Sequence, residues 1–177
     1  YGGILSKRNK KSHQKDLVKN NFLEIDLIIV NFYPFEKILE KSNNHFKILE
    51  NIDIGGPAMV RAAAKNYNDV TVITNISQYD LLIEQIHKNK GSTSLNFRRK
   101  MSEVAFSETA HYDSLISNYF NKITKNKFPN KKIISGTLFE QLRYGENPHQ
   151  EGAIYMIQKK PIIKQIHGKK LSYNNYN

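Results

Sequence analysis

The apolar positions of this chain fall into two kinds of run. Ile25-Asp26-Leu27-Ile28-Ile29-Val30 is short, nearly continuous and β-branched, the pattern of a strand buried on both faces of a parallel sheet. Asp69-Val70-Thr71-Val72-Ile73-Thr74 has the same character, and between the two Pro57 to about Asn66 reads as a helix. Strand, helix, strand at this spacing predicts a βαβ unit on a parallel sheet, hence an α/β fold. Helical spacing returns over Asp80 to Lys88, with Leu81, Leu82, Ile83 and Ile86 toward the core. From Arg98 to about Phe120, Met101, Val104, Ala105, Tyr112, Leu115, Ile116 and Tyr119 mark one long amphipathic helix.

The flanking segments are more polar. Lys7 to Asn21 is lysine-rich, with a weak helix from about Ser12 to Lys19. Lys37 to Ile52 predicts a connecting segment and a short helix whose apolar contacts are Phe46, Ile48, Leu49 and Ile52. Lys90-Gly91-Ser92-Thr93 breaks the preceding helix, and Asn121 to Lys132, dense in Lys and Asn around Pro129, reads as a linker. Beyond a boundary near Lys132, Thr137-Leu138-Phe139 and Ala153-Ile154-Tyr155-Met156-Ile157 are strands flanking an Arg143-Tyr144 segment. No internal repeat is evident.

The candidate chemistry is concentrated in Asp53-Ile54-Gly55-Gly56-Pro57-Ala58-Met59-Val60-Arg61-Ala62-Ala63-Ala64-Lys65-Asn66. Gly55 and Gly56 open backbone conformations closed to other residues and permit close approach of a ligand, and Pro57 suits the first helical position. The helix start then offers unpaired N–H groups and a positive dipole end to an anion or a polarised carbonyl. Arg61 and Lys65 stand four residues apart, a like-charge pair expected to face an anion. Asn31 and Tyr33 follow the first strand, at the carboxyl edge where ligands of open α/β sheets gather. The same residues also suit a capped core helix with a solvated basic edge and a proline turn with two aromatics beneath a helix. Lys65 can equally be a plain electrostatic partner of Asp53. His111, alone on its helix, reads as structural and not as a metal ligand.

Composition narrows the picture. With no cysteine, the 177 residues hold no disulfide and no thiolate ligand or nucleophile. No apolar run approaches the ~20 residues that span a bilayer and no signal-peptide pattern opens the chain, so the expectation is a cytoplasmic protein with no membrane partner. A net charge of +11 invites a nucleic-acid role, but 22 of the 27 basic residues are lysines spread along the whole length. Base readout and stacking favour Arg with interleaved aromatics, and the only adjacent arginines are Arg98 and Arg99. No nucleic-acid partner is expected; the positive potential would draw in small anionic ligands instead.

Taken with Leu142-Arg143-Tyr144-Gly145-Glu146-Asn147-Pro148-His149-Gln150, the two strand-end motifs resemble the bifunctional purine biosynthesis proteins. These join a phosphoribosylaminoimidazolecarboxamide (AICAR) formyltransferase to an inosine monophosphate (IMP) cyclohydrolase. The resemblance runs from Tyr1-Gly2-Gly3-Ile4-Leu5 to Leu171-Ser172-Tyr173-Asn174-Asn175, with several long motifs in the family's order. It implies the carboxyl-terminal part of a Rossmann-like, methylglyoxal-synthase-like parallel-sheet domain over residues 1–132, its amino-terminal part missing. Residues 133–177 would open a truncated transformylase domain. The segment before Tyr1 is expected to carry a Lys-Thr-Leu-His-Pro motif, and the chain alone is expected to perform neither reaction.

The implied chemistry is formyl transfer from 10-formyltetrahydrofolate to AICAR, then cyclodehydration of the formylated ribotide FAICAR to IMP, a step that needs no cofactor and no metal. The matching nucleotide-binding positions are Asn31, Phe32, Asp53, Ile54, Gly55 and Gly56. Lys65 matches the lysine regarded as proton donor or acceptor in ring closure, with Asp53 and Tyr33 as the other catalytic candidates, and Arg143 and Tyr144 match the AICAR-binding pair. His149 is not the family's catalytic histidine, which lies farther along. The resemblance implies a homodimer for the intact enzyme. Two other readings are a non-catalytic, ligand-binding regulatory domain of the same fold and a basic RNA-interaction module.

Overall fold

The structure is a computed structural model that describes residues 1–157 and 165–176. It divides into two compact units, Tyr1–Phe120 and Asn121–Asn177. In the first, β1 (Leu27–Ile29) and β2 (Thr71–Ile73) pair in parallel, Leu27 opposite Thr71 and Ile29 opposite Ile73. Parallel pairing requires a crossover, and three helices supply it: α3 (Phe35–Lys41), α4 (His45–Glu50) and α5 (Gly55–Lys65). The βαβ expectation holds, with both strands shorter than the apolar runs that contain them.

Val60, Ala63 and Ala64 of α5 are essentially fully buried. Together with Val70, Val72 and Ile73 they form the main core. Their small side chains let the helix axis lie close to the strands. The long helix α7 (Leu95–Ile123) adds Met101 and Ala105 to the same core, and its Ser102 hydroxyl donates to the Ala64 carbonyl at 2.8 Å, satisfying an acceptor in the last turn of α5. It begins earlier than periodicity suggests because Ser94 Oγ accepts the Phe97 N–H at 3.2 Å and caps it.

A second cluster forms where α3 and α4 meet the later turns of α7: Phe35, Ile48 and Tyr112 are buried, with Phe32, Ile52, Leu115 and Tyr119 against them. Here two expectations fail. The segment 37–52 makes two helices, and Phe46 is 78% exposed while Ile48 is 3% exposed, because neighbouring positions of a helix cannot share one face. The same geometry leaves Leu81 and Ile83 about half-exposed on α6 (Tyr79–Lys88), where Leu82 alone is buried.

Two features preceding β1 shape its surroundings. A one-turn helix, α1 (Gly2–Leu5), was not legible as an element, whereas α2 (Lys11–Lys19) lies where the weak helix was expected. Buried Asn66 donates to the Ile4 and Ser6 carbonyls at 2.9 and 3.0 Å, tying the α1 segment to the end of α5.

The second unit contains a hairpin, β3 (Thr137–Gln141) antiparallel to β4 (Ala153–Met156), with a register shift between Leu138 and Glu140. The loop it closes carries Arg143 and Tyr144. A backbone bond from the Leu142 N–H to the Gly152 carbonyl at 2.8 Å extends the ladder into that loop.

Candidate functional site

Asp53 is the centre of the first unit's candidate site, held by three contacts. Its Oδ1 accepts the Gly56 N–H at 2.8 Å, capping the first turn of α5 from two residues before it. Its Oδ2 accepts the Tyr33 N–H at 3.4 Å from the loop that follows β1. Its own N–H donates to the Tyr112 hydroxyl at 2.7 Å. One carboxylate thus joins the two loops at the carboxyl edge of the sheet, where the sequence places a ligand.

The glycines serve this arrangement differently from the expectation. Neither Gly55 nor Gly56 has a positive φ, and α5 already starts at Gly55, so Pro57 is its third residue and not its first. What glycine provides is room: a Cβ on Gly56 would stand 2.9 Å from the Asp53 Cγ, so any larger residue would push the carboxylate off its cap. A Cβ on Gly55 would meet nothing within 4 Å, which leaves the approach to the helix start open beside Ile54, 76% exposed.

The remaining candidates separate into those near Asp53 and those apart from it. Tyr33 is 55% exposed, its phenol free to meet solvent or a ligand. Asn31, one residue past β1's final backbone bond from Val30 to Ile73, donates from Nδ2 to the Tyr79 hydroxyl at 3.3 Å. Phe32, between them, packs its ring on Tyr112 with centroids 5.2 Å apart, so only its backbone faces the site. Thr74, at the carboxyl end of β2, has a buried hydroxyl without a hydrogen-bond partner among the described residues, an orphan that sequence gave no means of finding.

Lys65 stands in the last turn of α5. The ten steps from Gly55 correspond to a rise of about 15 Å, which puts Lys65 at the amino edge of the sheet while Asp53 is at the carboxyl edge. Arg61, expected with Lys65 to face an anion, has its guanidinium over the Phe106 ring at 5.7 Å instead.

Tyr112 is the residue that sequence reading left as plain core. Burial, first, raises its phenol above the usual 10.0; the bond from the Asp53 backbone opposes this, and the Asp53 and Asp113 charges add to it. The hydroxyl therefore stays protonated through neutral pH, able to accept from Asp53 N–H and to donate toward the Asn51 carbonyl at 3.5 Å.

In the second unit, the Arg143 guanidinium lies over the Tyr144 ring at 4.9 Å and donates to its hydroxyl at 3.4 Å. The segment expected to close the resemblance packs alongside: Arg143 N–H donates to the Leu171 carbonyl at 2.8 Å and Tyr173 N–H to the Tyr144 carbonyl at 3.1 Å. A hydrogen bond with the buried Ser172 hydroxyl, then the bond and charge of Arg143, hold the Tyr144 phenol below its usual value. Next to the pair, Leu142, Gly145, Glu146, Gln150 and Tyr173 border an open cleft of about 530 Å³.

With regard to known proteins, residues 63–177 match the family model described as the AICARFT/IMPCHase bienzyme. The chain is 43% identical over its full length to the bifunctional purine biosynthesis protein PurH of Bradyrhizobium diazoefficiens. It is 48% identical over 99% of its length to that of Limosilactobacillus reuteri, and 45% identical over its full length to that of Clostridioides difficile. It spans only 34–35% of these relatives' own length. Among solved structures, the crystal structure of ForH superposes with a TM-score of 0.58 at 28% identity, covering 67% of this chain and 62% of that one. Among the described residues no helix is long and apolar enough to cross a membrane. A family model that covers most of the chain, and relatives that match it from end to end, establish that this chain belongs to the AICARFT/IMPCHase bienzyme family.

Proposed function

We propose that, within a protein of the relatives' full length, this chain supplies part of the site that closes FAICAR to IMP and the opening of the site that transfers a formyl group to AICAR. On this reading residues 1–132 belong to a Rossmann-like, methylglyoxal-synthase-like cyclohydrolase domain and residues 133–177 to the transformylase domain. The formyl donor is 10-formyltetrahydrofolate, the protein works as a cytoplasmic homodimer, and its ligands are the ribotides AICAR, FAICAR and IMP, without nucleic acid or membrane.

The observation that carries the cyclohydrolase reading is the seating of Asp53 between the β1 loop and the α5 start. Ring closure is attack of the carboxamide nitrogen on the formyl carbon, followed by loss of water. It needs an acceptor for the carboxamide N–H, donors for the oxygen that gains charge, and an acid for the departing water. Asp53 is the acceptor, with its carboxylate preset by two backbone donors. The Tyr33 phenol and the Gly55 N–H at the start of α5 are donors, and Asn31, Phe32, Ile54, Gly55 and Gly56 line the nucleotide from their loops. Lys65 takes the acid role by its match to the family motif alone and not by position, since about 15 Å of helix rise separates it from the start of α5. Arg143, with a fork suited to phosphate or carboxylate, and Tyr144 hold AICAR in the second domain.

The test is made in the chain completed to the relatives' length. Asp53→Ala and Lys65→Ala each lower cyclisation of FAICAR by at least ~10²-fold, the scale of a lost general acid or base, and leave formyl transfer nearly intact. Normal ring closure in either variant removes that residue from the mechanism. Saturable IMP binding without any turnover by the completed chain would instead favour a regulatory ligand-binding domain.

A further inference from the structure

Tyr112 reaches the candidate site from α7, 59 residues beyond the turn it contacts. It is 5% exposed, and its ring packs against Phe32 at 5.2 Å and edge-on against Phe35 at 6.1 Å. Phe32 sits between Asn31 and Tyr33. The same side chain therefore props the β1 loop with its ring and the Asp53 turn with its hydroxyl, which takes the Asp53 N–H at 2.7 Å and faces the Asn51 carbonyl at 3.5 Å.

The division of labour within this residue matters. A phenylalanine would fill the same space between Phe32 and Phe35, so packing alone does not call for tyrosine. Without the hydroxyl, the part-buried Asp53 N–H loses its acceptor, and an unmet buried donor is costly enough to turn a peptide toward another partner. Rotation of the peptide before Asp53 would swing the carboxylate away from the Tyr33 and Gly56 N–H groups that fix its two oxygens. Reacting groups tolerate little displacement: about 1 Å costs on the order of 10²-fold in rate.

We propose that Tyr112 is a positioning residue for ring closure, its hydroxyl fixing the Asp53 turn so that the carboxylate meets the carboxamide N–H, without itself touching the ribotide. This rests on the assignment of Asp53 to the cyclisation site. It gives a helix outside the two site loops a direct part in the geometry of the reaction.

The experiment compares Tyr112→Phe, Asp53→Asn and the double variant in the chain completed to the relatives' length, with FAICAR cyclisation and formyl transfer measured on each. Tyr112→Phe lowers the cyclisation kcat about tenfold, with KM within about twofold and formyl transfer unchanged. In the Asp53→Asn background the same substitution has no further effect, because the carboxylate it positions is gone. Hydrogen exchange supplies a reading independent of turnover: Tyr112→Phe speeds exchange at Asp53 and Gly56 and leaves Val72 unchanged. A tenfold loss that persists in the Asp53→Asn background, or faster exchange throughout the core, would show a structural role and overturn the proposal. Normal cyclisation by Tyr112→Phe with crippled Asp53→Asn overturns the positioning role alone. Normal cyclisation by Asp53→Asn overturns the positioning role together with the site assignment beneath it.

Discussion

Asp53 is asked to do two things, cap α5 and meet the substrate, and the two are separable by substitution. Asp53→Ala removes the acceptor for the Gly56 N–H, in a residue that is buried, and for the Tyr33 N–H. Loss of an N-cap side chain costs about 1 kcal/mol, up to ~2, and a buried donor without a partner costs ~1–3 kcal/mol. These describe the same bond and do not add; with a few tenths more for the lost charge at the helix start, the expected loss is about 2 kcal/mol. Asn caps as well as Asp, so Asp53→Asn keeps an oxygen for Gly56 and loses under ~1 kcal/mol. Gly56→Ala, whose Cβ would collide with the carboxylate, resembles Asp53→Ala in stability. Urea unfolding followed by helical circular dichroism gives the ranking. Exchange at the Gly56 amide gives the local value, about 30-fold faster in Asp53→Ala if 1.4 kcal/mol is a factor of ten. Equal stability of Asp53→Ala and wild type would refute the cap, and equal loss in Asn and Ala variants would show that charge, and not the oxygen acceptor, holds the turn.

Two further outcomes follow from single side chains. The Arg98 guanidinium donates to the carbonyls of Tyr67 at 2.8 Å and Asn68 at 2.9 Å and to the Thr93 hydroxyl at 3.3 Å. Arg98→Met should therefore lower unfolding stability by ~2–4 kcal/mol and Arg98→Lys should recover less than half of it, since an ammonium cannot span the fork; full recovery by Lys would refute the clasp. In the second unit, Ser172→Ala should move the Tyr144 titration back toward 10.0, read as the alkaline absorbance change that Tyr144→Phe abolishes. An unmoved titration would show that Arg143 alone lowers it.

The architecture was legible where one physical demand dominates a segment. β1 and β2 sit inside largely apolar runs, β2 buried at every residue and β1 only in part, with Ile29 45% exposed, and Val60, Ala63 and Ala64 announce the helix that packs on them. Boundaries were less legible, because they depend on caps: Asp53 draws the start of α5 back to Gly55, and Ser94 does the same for α7. Contacts between distant residues were not legible at all. Arg98 read only as half of the one adjacent arginine pair, whereas it clasps the turn after α5. Tyr112 read as one apolar position of a helix, because periodicity records the ring and says nothing of a hydroxyl bonded 59 residues away. In the candidate site, Asp53, Tyr33 and the Gly56 turn were recognisable as neighbours from the rule that α/β ligands gather at strand ends. The role of the glycines was not, since it depends on clearance to a carboxylate and not on φ.

The placement of Lys65 turns one of the open alternatives into a measurement. In a βαβ unit the helix returns antiparallel to the strands, so its first turn lies at their carboxyl edge and its last turn at their amino edge. Asp53 caps the first turn, and Lys65 precedes Asn66, whose side chain is bonded to the Ile4 and Ser6 carbonyls. A lysine side chain on a helix leans back over the preceding turn, which still leaves most of the ~15 Å rise uncovered. At that distance exposed charges are screened at physiological salt, where the Debye length is about 8 Å. Lys65 is therefore not the electrostatic partner of Asp53. The consequence is additivity: in the completed chain the losses of cyclisation rate in Asp53→Ala and Lys65→Ala should multiply in the double variant, to within ~0.5 kcal/mol, as they do for sites more than 7–10 Å apart. A double variant no slower than either single one would mean that the two residues act as a unit, and the separation along α5 would then have to be closed in the working enzyme.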